Sequence, residues 1–241
     1  MLSIILPAFN EAGYLTTAVE HFIEELRATD NQEPFEIIVA ENGSTDGTRA
    51  EADSLAAGHP EVHVVSIPQA NYGLALRAGF LASQGDVVTN FDVDFYDLQF
   101  MFRAIERIRS GAADAPVIVV ASKRGDDSND TRPLARRLVT GVFSTILRLG
   151  FGLKVSDTHG MKSMLRAPLV PYAAACKFGT DLFDTELILR AERAGLHTGE
   201  IGVTVVETRP SRTPIWKRVP RSLKGLAKLR IALWREFGLF K

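Results

Sequence analysis

Short runs of aliphatic and β-branched residues alternate along this chain with longer stretches in which apolar residues recur every three or four positions. Residues 3–6, 36–40, 62–67 and 86–91 read as strands. Between them the pattern predicts helices over residues 13–28, 46–57 and 74–83. A βαβα rhythm of this kind implies a mainly parallel sheet with helices on both faces, a Rossmann-like α/β architecture. The second half is less regular. Residues 117–121 form an apolar strand, and 125–133, rich in aspartate, read as a mobile surface loop. A helix is predicted over 136–149, with Val139, Val142, Phe143, Ile146 and Leu147 on one stripe. A further helix over 181–194 and a strand over 202–206 follow.

The tail has its own pattern. Over 219–240, Leu223, Leu226, Ala227, Ile231 and Trp234 fall near helical spacing, and Lys217, Arg218, Arg221, Lys224 and Lys228 fill much of the remainder. From 216 to 241 the only acid is Glu236, so a chain of net charge −1 carries a basic end. Such a helix can lie on an anionic membrane surface, or pack on the domain with its charges in solvent. The organisation expected is a single domain over 1–213, with halves 1–121 and 122–213, followed by a basic amphipathic segment over 214–241.

Composition narrows the class. A chain of 241 residues, 46% hydrophobic and 24% charged, is a soluble globular protein with enough core to fold without crosslinks. Cys176 is the one cysteine, which excludes an intramolecular disulfide and a cysteine metal cluster and makes a reducing cytoplasm the default. Residues 2–6 are too short an apolar run for a signal peptide, and no stretch approaches the roughly 20 apolar residues of a spanning helix. The richest candidate, 138–153, is interrupted by Thr140, Gly141, Ser144, Thr145, Arg148, Gly150 and Gly152.

Ligands of such sheets bind outside the C-terminal ends of the strands, and polar residues follow each strand here. The first ends in Pro7-Ala8-Phe9-Asn10-Glu11, the second in Glu41-Asn42-Gly43-Ser44-Thr45-Asp46-Gly47. Backbone amides and an acid at such turns can read a nucleobase and ribose. Equally, Asn10 and Asp46 can be helix caps, and Gly43 and Gly47 turn glycines. The fourth strand runs into Asp92-Val93-Asp94, where two carboxylates one residue apart can address one hard cation. That cation can bridge a diphosphate and neutralise charge on a leaving nucleotide. A lone D-x-D arises easily by chance, so its position after a strand is what gives it weight.

Taken together, LPAFNEA, ENGSTDGT, NYGLALRAGF, QGDVV and FDVD resemble, in order and spacing, the motifs of family-2 glycosyltransferases. The likeness is to dolichol-phosphate mannose synthases and bacterial polyprenyl-phosphate sugar transferases. It extends through Ser122-Lys123-Arg124, the segment Val155 to Gly160, Phe183-Asp184-Thr185-Glu186 and a shortened Thr208-Arg209-Pro210-Ser211-Arg212. The resemblance implies a GT-A fold and transfer of a sugar, with inversion, from a UDP- or GDP-linked donor. It implies Mg²⁺ or Mn²⁺ at Asp92 and Asp94, and a nucleotide-sugar site lined by Pro7, Ala8, Asn10, Glu11, Glu41, Gly73 and Asp92. Arg124, Arg136, Arg209 and Arg212 become candidates for diphosphate or acceptor phosphate, a task suited to the guanidinium fork. Asp157 and Glu186 join the two metal-site acids as candidate catalytic groups.

A lipid-phosphate acceptor would be an anion already. A hydroxyl acceptor would need a carboxylate to take its proton, from Asp157, Asp181 or Glu186. Asn42 stands where the family places a second acid. Asp97 can be a third metal ligand or a helix cap, His159 a metal or phosphate contact or loop filler, and His197 is expected at the surface. The rivals are a nucleotidyltransferase, whose basic glycine-rich phosphate loop LPAFNEA does not match, and a nucleotide-sugar-binding relative without turnover. No nucleic-acid partner is expected, and self-association stays open. The protein is expected in the cytoplasm, with peripheral attachment to the inner face of the membrane.

Overall fold

A computed structural model describes the backbone of residues 1–30, 33–122, 134–156, 158–204 and 215–238, and their side chains except at 134–140, 143, 181 and 215–222. Seven strands form one sheet among these residues: β1 (Leu2–Ala8), β2 (Phe35–Asn42), β3 (Val62–Ile67), β4 (Val87–Asn90), β5 (Ile118–Ser122), β6 (Lys162–Leu165) and β7 (Thr198–Gly202). Their spatial order is β3-β2-β1-β4-β6-β5-β7. Every neighbouring pair is parallel except those made by β6, which runs antiparallel to β4 and to β5. The helices are α1 (Leu15–Arg27), α2 (Thr48–Gly58), α3 (Tyr72–Ala82), α4 (Leu98–Ile108), α5 (Leu134–Phe151), α6 (Arg166–Ala175), α7 (Phe183–Arg193) and α8 (Ile215–Phe237).

Successive side chains of a strand point to opposite faces, and both faces of this sheet are covered. Ile4, Leu6, Ile37, Val39, Val87 and Val119 join one core with Phe22 and Ile23 of α1 and Phe100 and Met101 of α4. Ile5, Ile38, Ala40, Val88 and Val120 join a second with Leu76 and Phe80 of α3, Leu187 and Ile188 of α7 and Leu229 of α8. Burial on two sides explains why these strands read as continuous apolar runs.

From β1 to β4 the elements lie where the periodicity places them, within a few residues, whereas α4 was not anticipated. Three in the second half differ. The short strand β6 and the helix α6 were not anticipated. Lys-Ser-Met-Leu carries no β-branched signal, and α6 holds Pro171 within it. Strand β7 ends where the predicted 202–206 strand begins. Its register comes from pairing Thr198 with Ile118 along β5, which overrides the weak strand propensity of Thr-Gly-Glu-Ile-Gly. On α5, Leu147 is buried but Val142 is exposed, so the predicted stripe does not face the core as a unit. The predicted 125–133 loop lies outside the described residues.

The tail helix also departs from its expected register. Leu226, Leu229 and Leu233 enter the second core, whereas Leu223, Ala227, Ile231 and Trp234 are exposed. Of the predicted stripe, Leu226 alone turns inward. An ion pair at the far end of α8 completes the attachment. Arg190 of α7, 1% exposed, donates through Nη1 and Nη2 to the two oxygens of Glu236, at 2.6 and 3.0 Å. Its Nε donates to Glu186 at 2.9 Å.

Two outcomes are expected. Arg190→Met strands the buried Glu186 carboxylate and should cost about 3–5 kcal/mol of unfolding free energy, read in urea melts. At the edge away from the strands' C-terminal ends, Arg109 donates to both oxygens of Glu33 at 2.8 Å, holding that carboxyl below its ordinary 4.5. A lowered folded-state pKa gives stability that is full above about pH 4.5 and is lost as pH falls through the folded value. Glu33→Gln should therefore lower stability at neutral pH and flatten this acid limb in the same melts.

Candidate functional site

The strand order fixes where a ligand can enter. From β1 the chain builds outward through β2 and β3, then returns to the other side of β1 to lay down β4. The helical connections diverge there, opening a crevice at the C-terminal ends of β1 and β4. The ladder between these strands runs from Leu2 opposite Val87 to Ile5 opposite Asn90, and Phe91 N–H extends it by donating to the Ile5 carbonyl at 3.1 Å. Asn10 and Glu11 thus lie just past one wall of the crevice, and Asp92 and Asp94 just past the other.

The wall beyond β1 is laced to the loop beyond β2. Asn10 adopts a left-handed φ of 54°, tolerable for asparagine among non-glycine residues. Its side-chain Oδ1 accepts from Thr45 N–H at 2.9 Å, and its own N–H donates to Ser44 Oγ at 3.1 Å. Glu11 N–H donates to Thr48 Oγ1 at 2.7 Å. Asp46 accepts from the Thr48 hydroxyl at 2.5 Å and amide at 3.0 Å, and from Ala12 N–H at 3.3 Å. Those bonds, led by the Thr48 hydroxyl, hold its carboxyl below the usual carboxylate range. Asp46 is therefore a turn residue that also joins two loops. Glu41 is buried and accepts from Ser44 N–H at 2.6 Å. Between them, Gly43 has φ +64°, and a Cβ there would come within 2.7 Å of the Gln69 backbone. Pro7 and Ala8 complete this wall as the last residues of β1.

A second lacing runs from α3. Asn42 Oδ1 accepts from Asn71 N–H at 2.6 Å. The Asn71 side chain caps α3 by accepting from Leu74 N–H at 3.2 Å, and also accepts from Thr180 N–H at 2.5 Å. Gly73 lets the start of α3 approach that loop: a Cβ would meet the Thr180 carbonyl oxygen at 2.6 Å. Thr180 itself has a φ of 56°, a conformation that costs energy for a β-branched residue and persists where its surroundings impose it. The first residue of α3, Tyr72, donates its hydroxyl to Asp92 Oδ1 at 3.4 Å.

Asp92 and Asp94 are half-buried on either side of the buried Val93. A tight turn, Phe95 N–H to Asp92 carbonyl at 3.2 Å, holds the pair at the mouth of the crevice. Among the described residues no cluster of three or more acids, histidines or cysteines is placed to hold a metal. Two carboxylates fit a hard divalent cation that takes its remaining oxygens from phosphate and water. Asp97, the alternative third ligand, caps α4 by accepting from Phe100 N–H at 2.9 Å.

Helix α7 carries its own buried charges. Glu186 is fully buried, accepting from Lys177 N–H at 2.9 Å and Phe178 N–H at 2.8 Å besides Arg190. Asp184, two residues before it, pairs with Lys162 of β6 at 3.1 Å. His159 contacts the Thr158 hydroxyl at 3.2 Å, and His197 is exposed. Asp157, Arg124, Arg209, Arg212 and the side chains of Arg136 and Asp181 lie outside the described residues. Sequence reasoning missed Asn71, Tyr72, Asn90 and Lys162. Asn71 and Tyr72 lie inside the NYGLALRAGF motif. Lys162 gave only the weak signal of a cation in an otherwise uncharged strand.

The model of glycosyl transferase family 2 matches residues 3–170. The chain belongs to that family. Among curated relatives of this family-2 chain, glycosyltransferase AglD of Haloferax volcanii is 32% identical over 205 residues, covering 84% of the chain but 32% of AglD. Dolichyl-phosphate β-glucosyltransferase ALG5C of Trichomonas vaginalis is 26% identical, covering 99% of the chain and 72% of that protein. An undecaprenyl-phosphate 4-deoxy-4-formamido-L-arabinose transferase of Pectobacterium carotovorum is 30% identical, covering 73% and 51%. The chain thus spans about a third of AglD and about half of the arabinose transferase. The glucosyl-3-phosphoglycerate synthase of Mycobacterium tuberculosis, crystallised with Mn²⁺, UDP-glucose and phosphoglyceric acid, superposes with a TM-score of 0.67 at 24% identity. It covers 95% of this chain and 78% of that one. This likeness shows the GT-A fold.

If Asp97 acts as a cap and not as a ligand, Asp97→Ala should cost about 1 kcal/mol of stability. Mn²⁺ titrations of the folded variant with UDP should match the parent.

Proposed function

We propose that this family-2 chain transfers a sugar, with inversion, from a nucleotide diphosphate sugar to a polyprenyl phosphate. The observation that carries the proposal is the crevice between β1 and β4, with Asn10 and Glu11 on one wall and Asp92 and Asp94 on the other. Pro7, Ala8, Asn10, Glu11, Glu41 and Gly73 shape the nucleotide side, and uridine or guanosine is the base. Asp92 and Asp94 hold Mg²⁺ or Mn²⁺, which when bound supplies positive charge against the diphosphate oxygens. Arg124, Arg136, Arg209 and Arg212 meet the donor or acceptor phosphate.

An inverting transfer is a single displacement. An acceptor oxygen bonds to the anomeric carbon as the bond from that carbon to the diphosphate breaks. A phosphate acceptor arrives as an anion and needs no base. A hydroxyl acceptor needs one, and the described acids behind the site are committed: Glu186 to two amides and Arg190, Asp184 to Lys162. That commitment favours the phosphate, as do the names of the dolichyl- and undecaprenyl-phosphate relatives. Glu186 then serves by holding the 177–178 backbone, and Asp157 remains the acceptor-side carboxylate.

Residues 1–213 would form the catalytic domain and 214–241 its membrane-facing element. No described helix is long and apolar enough to cross a membrane. The outer face of α8 carries Leu223, Ile231 and Trp234 beside the exposed Lys224, Lys228 and Arg235. A surface of this kind suits peripheral attachment to anionic lipid on the cytoplasmic side, about 1 kcal/mol for each cation near the headgroups. Self-association is a further possibility that sedimentation can address.

Asp94→Ala should lower turnover of a UDP- or GDP-sugar with undecaprenyl phosphate and Mn²⁺ by on the order of 100-fold or more. Parent-like turnover by that variant rejects the metal site. Transfer to a hydroxyl acceptor with none to the lipid phosphate rejects the acceptor. Flotation with anionic liposomes tests the attachment. Because α8 also supplies core leucines, the informative change is Leu223, Ile231 and Trp234→Ser together, which should abolish flotation and leave the melting temperature within a few degrees of the parent's.

A further inference from the structure

Lys162 is 1% exposed, on an interior strand of the sheet, opposite Asn90 at the C-terminal end of β4. An ammonium carries three N–H donors, and burial is tolerable only if they are satisfied. Each finds a partner on a different part of the fold. Nζ lies 3.1 Å from Asp184 Oδ1 on α7, itself 5% exposed. It donates to the Gly160 carbonyl at 2.7 Å, in the turn that leads into β6. It donates to Asn90 Oδ1 at 3.3 Å, at the last residue of β4. Asn90 closes the figure by donating its Nδ2 to the same Gly160 carbonyl at 3.2 Å.

Asn90 stands two residues before Asp92, and Gly160 lies two residues before Lys162. We infer that Lys162 is a positioning residue for this site: its buried ammonium locks the end of β4 to the 160 turn and to α7, and so fixes where the Asp92 and Asp94 carboxylates stand. The inference rests on the reading that those two acids hold the metal. Tyr72 braces Asp92 from the α3 side at 3.4 Å, and Lys162 braces the strand end behind it through Asn90. Loss of a group that orients metal-binding residues typically weakens metal affinity about 10–100-fold.

A buried pair that serves stability alone makes a different forecast. Replacing both partners by apolar residues of similar volume is often neutral or stabilising. The test is therefore Lys162→Met with Asp184→Leu, read by melting temperature and by calorimetric titration of Mn²⁺ in the presence of UDP. Positioning predicts a melting temperature near or above the parent's together with Mn²⁺ binding weakened about tenfold or more. Parent-like Mn²⁺ binding by a folded double variant overturns it. Asn90→Ala is the second arm, since it cuts the link to β4 and leaves the Lys162–Asp184 pair intact. If the double variant does not fold, Asn90→Ala decides by the same titration: weaker Mn²⁺ binding supports the inference and unchanged binding overturns it. Asp94→Ala separates the two readings. If that variant binds Mn²⁺ with UDP like the parent, the metal site falls and this inference with it. If it loses binding while the Lys162 and Asn90 variants do not, only the positioning role is lost.

Discussion

A charge cannot be left unpaired in a protein interior, and the part of this molecule built on α7 is arranged around that constraint. Helix α7 is buried along nearly its whole length, yet it carries Asp184, Glu186 and Arg190. Each forces a neighbour into place. Asp184 requires the cation that β6 supplies. Glu186 requires two backbone amides from the 177–178 segment and the guanidinium one turn on. Arg190, with one acid satisfied, reaches α8 for the second. Burying a charge alone costs several kcal/mol even after relaxation, so the sheet, the loop before α7 and the last helix are mutually constrained by charge as well as by apolar contact.

The loops that follow β1 and β2 obey a different logic, one of backbone amides and short polar side chains. Asn10, Ser44, Thr45, Asp46 and Thr48 join two strand-to-helix turns into one wall. Asn71 then ties that wall to the loop of Thr180, more than a hundred residues away in sequence. Three elements distant along the chain meet at one residue, through its backbone amide and its side chain, which is why its role as a cap tells only half of what it does.

This difference decides how far the sequence could be read. The first part of the chain is built from local βα units whose turns sit beside their own strands, so periodicity and motif spacing placed the ends of β1 and β4, which Asn10, Glu11, Asp92 and Asp94 follow. Glu186 was found by its motif, but its surroundings were not, because whether a carboxylate faces solvent or a buried guanidinium depends on tertiary packing. Lys162 was illegible for the same reason: its strand lacks β-propensity and runs against its neighbours, and its meaning lies in contacts to residues 90, 160 and 184. The register of α8 failed on a smaller point. Leu223, Leu226 and Ile231 all lie near helical spacing, and only the neighbouring core distinguishes the side that packs from the side that does not.

The two-sided use of α8 limits how the molecule can sit against a lipid surface. Burial of Leu226, Leu229 and Leu233 stabilises the docked helix by roughly 1.5–3 kcal/mol per side chain, to which the Arg190–Glu236 clamp adds. Headgroup attraction of about 1 kcal/mol per cation from a few lysines and arginines does not exceed that. If a bilayer recruits this helix as proposed, it would leave it seated, so α8 would act as a keel and not as an anchor chain: the angle between crevice and membrane would be set by the fold itself, and the depth of immersion would be limited to the outer half of one helix.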